Sequence, residues 1–270
     1  MRFFRNSDLD ENSLKIEFKK EFEYVEMATN ILNTHNPDQL NLGNATLSNL
    51  YHFTRRYEYV FFSKYIENLS SKNTNISIMD VGCGVSYAPY TFSKLVKNYT
   101  AIDKVDLSLF YDSLSNDVKF FQHDIVNKPF KLDSFDLAIS ISVLEHIPTK
   151  DRHKSIENIY KSLKKGGKFA ITFDIDLESS GGGINFDELI YTISYMKSLG
   201  FNALEEIDLT TYNDILTSES ILGLPANRYQ LPWRINYNHS GRIYTKLKQL
   251  DLVKPKHKSL AVVFGVFQKN

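Results

Sequence analysis

The sequence lacks the features that mark secreted, membrane-spanning and polyanion-binding proteins. With Cys83 as its only cysteine in 270 residues, it cannot form an internal disulfide, and nothing in it requires an oxidising compartment. Its longest apolar run, residues 260–267, is far too short to span a bilayer. Its 32 Lys and Arg balance 32 Asp and Glu, so it has no basic excess for nucleic acid. We therefore predict a cytoplasmic protein with no membrane or nucleic-acid partner.

The composition that remains is that of a folded globular protein. Hydrophobic residues make up 42% of the chain and aromatic residues 13%, enough apolar surface to offset the entropy lost on folding. No group of His, Cys and Asp residues has the spacing of a metal site, and we therefore predict no bound metal. The sequence gives no indication of the oligomeric state.

The hydrophobic periodicity divides the chain into three regions. The first is helical in pattern, the second alternates short apolar runs with helical patterns, and a long polar and aromatic segment precedes a final apolar run. A segment of that length is more often a lid or cap than a plain connection. The predicted units are residues 1–75 as a helical N-terminal cap, residues 76–209 with 258–270 as an α/β core, and residues 210–257 as an insertion.

Alternation of strands and helices in the second region predicts a doubly wound α/β sheet with parallel central strands. Thr149 is placed to cap a helix that runs through Leu163, and Gly166 with Gly167 should end it. Asn185 and Glu188 form a capping pair for a later helix that should end at Gly200. The predicted strands are residues 76–82, 99–105, 118–125, 135–142, 168–176, 202–209 and 260–267.

The strongest local motif is Asp80-Val81-Gly82-Cys83-Gly84, at the end of the first predicted core strand. Two glycines in a strand-to-helix turn let the backbone approach a ligand closely. A dinucleotide fingerprint would place a third glycine at position 87, where this chain has Tyr87, which argues against a nicotinamide dehydrogenase. The acid before the first glycine suits a ligand that carries positive charge.

Two further acids follow the next two strands. Asp103 lies 19 residues after Gly84, where an acid can accept both hydroxyls of a ribose, and Asp124 ends the third strand. Because parallel strands end at one edge of a sheet, Asp80, Asp103 and Asp124 should line one crevice. The alternative for any one of them is a cap of the following helix or turn.

These strings together resemble the class I S-adenosylmethionine-dependent methyltransferases, especially the branch that acts on sugars and quinone precursors. The strings are IMDVGCG, AID, HDI, KPFKLDSFDLAISISVLEHI and LKKGGKFAIT. The resemblance implies a Rossmann-like sheet of seven strands whose last strand is antiparallel, with S-adenosylmethionine as cofactor. It also implies contacts to the methionine part from Asp80, Gly82, Cys83 and Gly84, to the ribose from Asp103, to the adenine from Asp124 and Ile125, and to the sulfonium region from Ser140.

Candidate catalytic bases lie beyond the fourth predicted core strand, and one more candidate for cofactor binding lies upstream of the first strand. His146 should face the acceptor, and a histidine has the reference pKa of a general base near neutral pH, although it could equally be structural. Glu145 and Asp174 are second-choice bases. Arg55 resembles an arginine that pairs with the cofactor carboxylate in some sugar methyltransferases, but a solvated arginine is the alternative.

The acceptor itself is open from sequence. The insertion is rich in arginine and aromatic residues, which suit a sugar, a nucleotide-sugar or another phosphorylated metabolite, but equally a protein interface. We predict methyl transfer to a hydroxyl of a sugar-like small molecule in carbohydrate biosynthesis. The alternatives are an inactive cofactor-binding protein and a methyltransferase that acts on protein or RNA. The insertion residues concerned are Arg228, Tyr229, Trp233, Arg234, Tyr237, His239 and Arg242.

Overall fold

The computed structural model describes residues 1–3, 53–73, 75–86, 88–114, 118–176, 183–206 and 260–270. The strands are β1 (Arg2–Phe3), β2 (Ser77–Val81), β3 (Asn98–Asp103), β4 (Lys119–Gln122), β5 (Phe135–Ile141), β6 (Leu163–Asp176), β7 (Phe201–Ala203) and β8 (Leu260–Lys269). The helices are α1 (Phe53–Ser70), α2 (Ala88–Ser93), α3 (Ser108–Leu114), α4 (Thr149–Ser162) and α5 (Phe186–Ser198), with a 3-10 turn at Leu144–His146. None of the helices in these ranges is long and apolar enough to cross a membrane.

The strands form one mixed sheet in the order β1-β8-β6-β5-β2-β3-β4, and β7 also pairs with β8. The pairs from β6 through β5, β2 and β3 to β4 are parallel, whereas β8 runs antiparallel to β6. The predicted doubly wound sheet with an antiparallel last strand is therefore confirmed. Its carboxyl edge at β2, β3 and β5 is where such sheets bind ligands.

Helices cover both faces of the sheet, which explains why its central strands are apolar almost throughout. On β2, Ile78 belongs to the core cluster that includes α1, α2 and α3. Its neighbours Met79 and Val81 belong to the opposite cluster, with residues from α4 and α5. Because side chains alternate along a strand, Asp80 lies on the Ile78 face.

The first residues of the chain form a strand on the outer edge of β8, so the helical pattern predicted for residues 1–75 does not include them. Arg2 and Phe3 pair antiparallel with Phe264 and Val263, and β7 pairs with the later residues of the same edge. Met1 is buried, and its amino group donates to the backbone carbonyls of Glu205 (3.0 Å) and Glu206. A strand of two residues is too short to show a periodicity. Of the predicted helical cap, residues 4–52 lie outside the described residues, and α1 (Phe53–Ser70) is helical as predicted.

Helix boundaries around α4 also differ from the prediction. Pro148 occupies the N-cap position, and the Thr149 hydroxyl instead donates to Glu188 Oε1 (3.1 Å). Gly166 and Gly167 do not end the helix but lie inside β6, where its register with β5 shifts. A Cβ on Gly167 would lie 2.8 Å from the Lys164 carbonyl oxygen, so the close backbone packing requires glycine there.

The predicted cap of α5 is confirmed, because Asn185 Oδ1 accepts a hydrogen bond from the Glu188 amide (2.8 Å). Helix α2, which follows the glycine turn, is short and ends at Ser93. The strand predicted at residues 202–209 is also shorter in the described part of the chain, where β7 ends at Ala203.

Candidate functional site

The glycine turn after β2 has one glycine packed against protein and one facing open space. Both adopt the left-handed backbone region that favours glycine, with φ of 73° at Gly82 and 57° at Gly84. A Cβ on Gly82 would lie 2.5 Å from Val143 Cγ1, whereas a Cβ on Gly84 would meet no atom within 4 Å. The turn therefore leaves room for a ligand beside Gly84.

Asp103, at the end of β3, lies against this glycine turn. Its Oδ2 accepts from the Gly84 amide (3.0 Å) and its Oδ1 from the Val105 amide (2.9 Å). The carboxylate is half-buried, and each oxygen keeps a further lone pair. It can still accept hydrogen bonds from a ligand with two neighbouring hydroxyls.

Asp80 lies one residue from the turn and is buried. The Tyr99 hydroxyl donates to its Oδ2 at 2.6 Å. Burial raises the pKa of the Asp80 carboxyl to about 7; the Tyr99 hydrogen bond opposes this shift and the charge of Asp103 adds to it. A cation at this position would favour the ionised form. Asp80 is therefore an acid with a strong electrostatic preference for a positively charged neighbour.

Asp124 is brought to the same edge, but its carboxylate has local partners. Oδ1 accepts from the Val126 amide (2.9 Å) and Oδ2 from the Asn127 side chain (2.9 Å), so the capping alternative describes its contacts. Ile125, next in the chain, is buried. The Ile125 carbonyl accepts a hydrogen bond from Asn158 Nδ2 of α4 (2.8 Å), which ties the turn to that helix. Because both carboxylate oxygens of Asp124 already accept local hydrogen bonds, Ile125 and the backbone of the turn are the better candidates for ligand contacts.

The remaining predicted residues lie around this edge. Ser140 is fully buried near the end of β5, with its hydroxyl 3.4 Å from the Val81 carbonyl oxygen. Cys83 is buried, and burial raises the pKa of its thiol well above the ordinary value, so the thiol stays protonated. His146 is exposed at the end of the 3-10 turn. Arg55 falls in the first turn of α1.

A second set of polar side chains is buried at the ends of β5 and β6. Glu58 of α1 accepts from the hydroxyls of Ser142 (2.7 Å) and Thr172 (2.6 Å) on the same oxygen. The second-choice bases lie beside it, where Glu145 Oε1 accepts from the Asp174 amide (3.1 Å). Both of these acids are buried. Among the catalytic candidates in the described part of the chain, His146 is thus the exposed one.

The sequence reasoning missed several side chains that build this edge. Tyr99 was not predicted, although strand alternation places it on the face of Ala101, the partner of Asp80 in the register. The Tyr111 hydroxyl donates to the Gly84 carbonyl (2.7 Å). Asn158 gave no signal, because a polar residue within a helical pattern usually faces solvent.

Within the described ranges, no group of three or more His, Cys, Asp or Glu side chains is arranged to hold a metal ion. Tyr87 and the insertion at residues 210–257, including its arginines and aromatic residues, lie outside the described part of the chain. Whether the insertion covers the acceptor side therefore stays a prediction.

Comparison with known proteins shows relatives of the central part of the chain. Residues 79–171 match a family described as a methyltransferase domain. A sterol 24-C-methyltransferase of Neurospora crassa is 27% identical over 165 residues, covering 52% of this chain and 43% of that protein. A carboxy-S-adenosyl-L-methionine synthase of Staphylococcus epidermidis is 27% identical over 156 residues, covering 56% and 63%. The chain thus spans less than two thirds of each of these relatives.

A third relative, a phosphoethanolamine N-methyltransferase of Plasmodium falciparum, is 26% identical over 178 residues, with 60% of this chain and 64% of that protein covered. Among solved structures, the (4+2)-cyclase SpnF superposes with a TM-score of 0.52 at 16% identity, covering 83% of this chain and 86% of that one. This likeness shows a shared fold. The resemblance to class I methyltransferases drawn from the sequence motifs is confirmed.

The residues present fit S-adenosylmethionine, the cofactor of this domain. The space beside Gly84, where a Cβ would meet no atom within 4 Å, can admit part of a ligand. Asp103 contributes a half-buried carboxylate that contacts the Gly84 amide, and the buried acid Asp80, two residues before Gly82, would become ionised beside a cation. A ligand with two positive charges and a ribose diol is complementary to this arrangement.

Proposed function

We propose that this chain, whose residues 79–171 form a class I S-adenosylmethionine-dependent methyltransferase domain, transfers a methyl group to a small polar acceptor. The observation that carries the proposal is the open space at Gly84, whose amide donates to the half-buried carboxylate of Asp103. The bound cofactor would supply an electrophilic methyl group on a sulfonium. Everything else that the reaction needs must come from this chain's own residues.

The cofactor-side residues divide the binding work by charge and shape. Asp80 is suited to the positive charges of the methionine part, and Gly82, Cys83 and Gly84 supply the backbone beside it. Asp103 would accept the ribose hydroxyls, and Ile125 with the Asp124 turn would contact the adenine. Ser140, near the end of β5, would lie beside the sulfonium, and Arg55 would pair with the cofactor carboxylate.

For the acceptor, we propose a hydroxyl of a sugar or sugar derivative, with His146 as general base. His146 is exposed just past β5, so its ring is accessible from the side where an acceptor would enter. A sugar hydroxyl barely ionises near pH 7, and a base within hydrogen-bond reach would remove its proton as the new bond forms. Alignment of the two reacting groups would supply a large further part of the acceleration.

An amine is the second candidate acceptor. The relative from Plasmodium falciparum is named for methylation of phosphoethanolamine, and other relatives are named for sterols. Buried near the His146 turn lie the carboxyl groups of Glu58, Glu145 and Asp174, whose oxygens are acceptors that suit the N–H donors of an amine. An amine needs no base once it is deprotonated, so His146 would matter less for it.

The domain organisation belongs to the same proposal. Residues 76–209 with 258–270 would form the catalytic core, which β1 extends at its edge, and the rest of residues 1–75 with 210–257 would cover the acceptor. Arginines and aromatic side chains in the insertion suit a sugar, a nucleotide-sugar or a phosphorylated metabolite. The place of such a reaction would be carbohydrate biosynthesis.

Two measurements test the proposal. Calorimetry should give S-adenosylmethionine and S-adenosylhomocysteine binding and no NAD binding. A mass-spectrometric screen of sugars, nucleotide-sugars and phosphoethanolamine should then give one product heavier by a methyl group. Binding of NAD without binding of S-adenosylmethionine in calorimetry would refute the cofactor assignment. Cofactor binding with no methylated product from any acceptor class would favour the inactive cofactor-binding alternative.

A further inference from the structure

We propose that Glu58 is a positioning residue, which holds the turn that joins β5 to His146 and thereby aligns the acceptor side of the site. The inference rests on the proposed function, because it concerns the same methyl transfer. The sequence motif around Arg55 includes Glu58 but assigns it no role, and the comparisons do not point to it. Its role is argued from its contacts with Ser142 and Thr172.

Glu58 closes a ring of hydrogen bonds at the ends of β5 and β6. The Ser142 amide donates to Thr172 Oγ1 (3.1 Å), and the Thr172 hydroxyl donates to Glu58 Oε1 (2.6 Å). The Ser142 hydroxyl donates to the same Glu58 oxygen (2.7 Å). All three residues are buried, so hydrogen bonds among them are strengthened by the low local dielectric.

The ring fixes a residue whose backbone is unfavourable by itself. Ser142 has a φ of 47°, in the left-handed region that residues other than glycine rarely adopt. Such a conformation costs about 1–2 kcal/mol and persists only where neighbouring contacts impose it. Here the conformation is held by two hydrogen bonds of Ser142, from its amide to Thr172 Oγ1 and from its hydroxyl to Glu58 Oε1.

The segment that follows Ser142 reaches both halves of the site. Val143 packs closely on Gly82, because a Cβ added to Gly82 would lie 2.5 Å from Val143 Cγ1. The His146 amide donates to the Val143 carbonyl (3.0 Å), which ties the 3-10 turn to the same residue. A change at Ser142 is therefore passed to His146 through only three intervening residues.

Helix α1 also contacts the cofactor side through the neighbouring residue. The Tyr59 hydroxyl hydrogen-bonds Ser86 Oγ at 2.9 Å, in the loop after the glycine turn, and Ser86 Oγ accepts from the Ala88 amide (3.1 Å). Glu58 and Tyr59 thus connect one helix to two loops that must be aligned for methyl transfer. Alignment errors of about 1 Å can cost on the order of 100-fold in rate.

The first experiment measures hydrogen exchange of the amides of residues 142–147 in the full chain. Glu58→Ala should raise their exchange at least about 10-fold, because charge-assisted hydrogen bonds that hold the turn are lost. Glu58→Gln keeps an acceptor oxygen of the same reach and should restore most of the protection. The matched control is Val60→Ala, which truncates another fully buried side chain of α1 that does not belong to the ring.

Equal exchange at residues 142–147 in Glu58→Ala and Val60→Ala would overturn the proposal, since the effect would then be general loosening of α1. If Glu58→Ala does not fold, Thr172→Val removes one hydroxyl of the ring at nearly constant shape and should give the same local change. No local change in Thr172→Val would also count against the ring.

The second experiment separates alignment from cofactor binding. In Glu58→Ala, the Kd for S-adenosylhomocysteine should stay within about threefold of the wild-type value, while kcat for the acceptor found by the screen falls about 10- to 100-fold. A rise in Kd that accounts for the whole loss of kcat/KM would overturn the positioning role. Failure of the wild type to bind S-adenosylhomocysteine would refute the proposed function instead, and the exchange result would still decide the role of the ring.

Discussion

The carboxyl edge of the sheet has two halves that are held together by different forces. At β2 and β3 the edge is built from backbone amides, two glycines and acids close in sequence, and it faces open space at Gly84. At β5 and β6 it is built from buried side chains, and one acid from α1 joins residues 84 and 114 positions away. The first half, called the cofactor half after its proposed role, has its open space formed by local contacts. The second half, called the acceptor half, depends on how α1 packs.

This difference predicts which changes affect cofactor affinity and which affect turnover. A side chain on the first half exchanges hydrogen bonds with a ligand, so its loss should weaken binding. A side chain on the second half sets geometry at the acceptor side, so its loss should lower kcat. The changes below test this division.

The largest effect is expected on the acceptor half, from His146→Ala. Loss of a general base lowers kcat by about 10²–10⁴, while S-adenosylmethionine affinity should hardly change because His146 lies beyond the cofactor residues. The measurement is kcat with a hydroxyl acceptor from pH 6 to 9, beside the cofactor Kd. Unchanged kcat over that range would leave His146 with a structural role, and with an amine acceptor the loss should be smaller.

On the cofactor half, Asp80 should make the stability of the ligand-free protein depend on pH. Its pKa is raised to about 7 in the folded state from 3.8, so between those values the folded protein holds a proton that the unfolded chain has released. Stability should therefore fall as pH rises from about 4 to about 7, by a few kcal/mol, and then level off.

Urea unfolding at several pH values measures this slope, and Asp80→Asn should flatten it. Asp151→Asn, on an exposed part of α4, is the matched control and should keep the slope of the wild type. A wild-type profile as flat as that of Asp80→Asn would mean that Asp80 does not hold its proton in the folded state.

The two glycines sharpen the comparison within a single turn. Gly82→Ala places a methyl group against Val143, which joins the two halves, and should cost about 2–4 kcal/mol of unfolding free energy. Gly84→Ala meets no protein atom and should cost only about 1–2 kcal/mol, from its positive φ.

Because the methyl group at position 84 would project into the open space, Gly84→Ala should weaken S-adenosylmethionine binding more than its small effect on stability suggests. Thermal unfolding and calorimetry on both variants give the two quantities. Equal losses of stability would contradict the contrast between the packed and the open glycine.

The acids at the strand ends, compared with each other, should show a smaller effect than the loss of His146. Asp103→Ala should weaken S-adenosylmethionine binding about 10- to 100-fold, which corresponds to about 1.5–3 kcal/mol for a hydrogen bond to a charged group. Asp124→Ala should weaken it less, since both carboxylate oxygens of Asp124 already bond within their own turn. If calorimetry gave Asp124→Ala the larger loss, the ribose and adenine assignments would have to be exchanged.

The cofactor half was predictable because its parts lie close together in sequence or at equivalent strand ends. Asp80, Gly82 and Gly84 form one motif, and parallel pairing of β2 with β3 brings Asp103 to it. The hydrogen bond from Tyr99 to Asp80 could not be predicted from side-chain alternation along β3 alone, because it also depends on the register of β3 with β2. The contacts of Asp124 were the part that remained open, because a carboxylate at a strand end can serve a ligand or its own turn.

The acceptor half could not be predicted in the same way. Ser142 and Thr172 are ordinary strand-end residues, and Glu58 is one of several acids in a helical pattern. Helical periodicity gives the face that is buried but not the partner that the face meets. The strand at Arg2–Phe3 and the inclusion of Gly166 and Gly167 in β6 escaped prediction for a related reason, since pairing with β8 and β5 decides both.

The sequence by itself determined the doubly wound sheet, the glycine turn and the acids that border it, because strand alternation and parallel pairing bring strand ends to one edge. Only the tertiary structure decided that Gly82 is packed and Gly84 open, that Asp80 is buried with a raised pKa, and that Glu58 joins Ser142 to Thr172. Burial, open space and contacts between distant residues are properties of packing, and no local pattern encodes them.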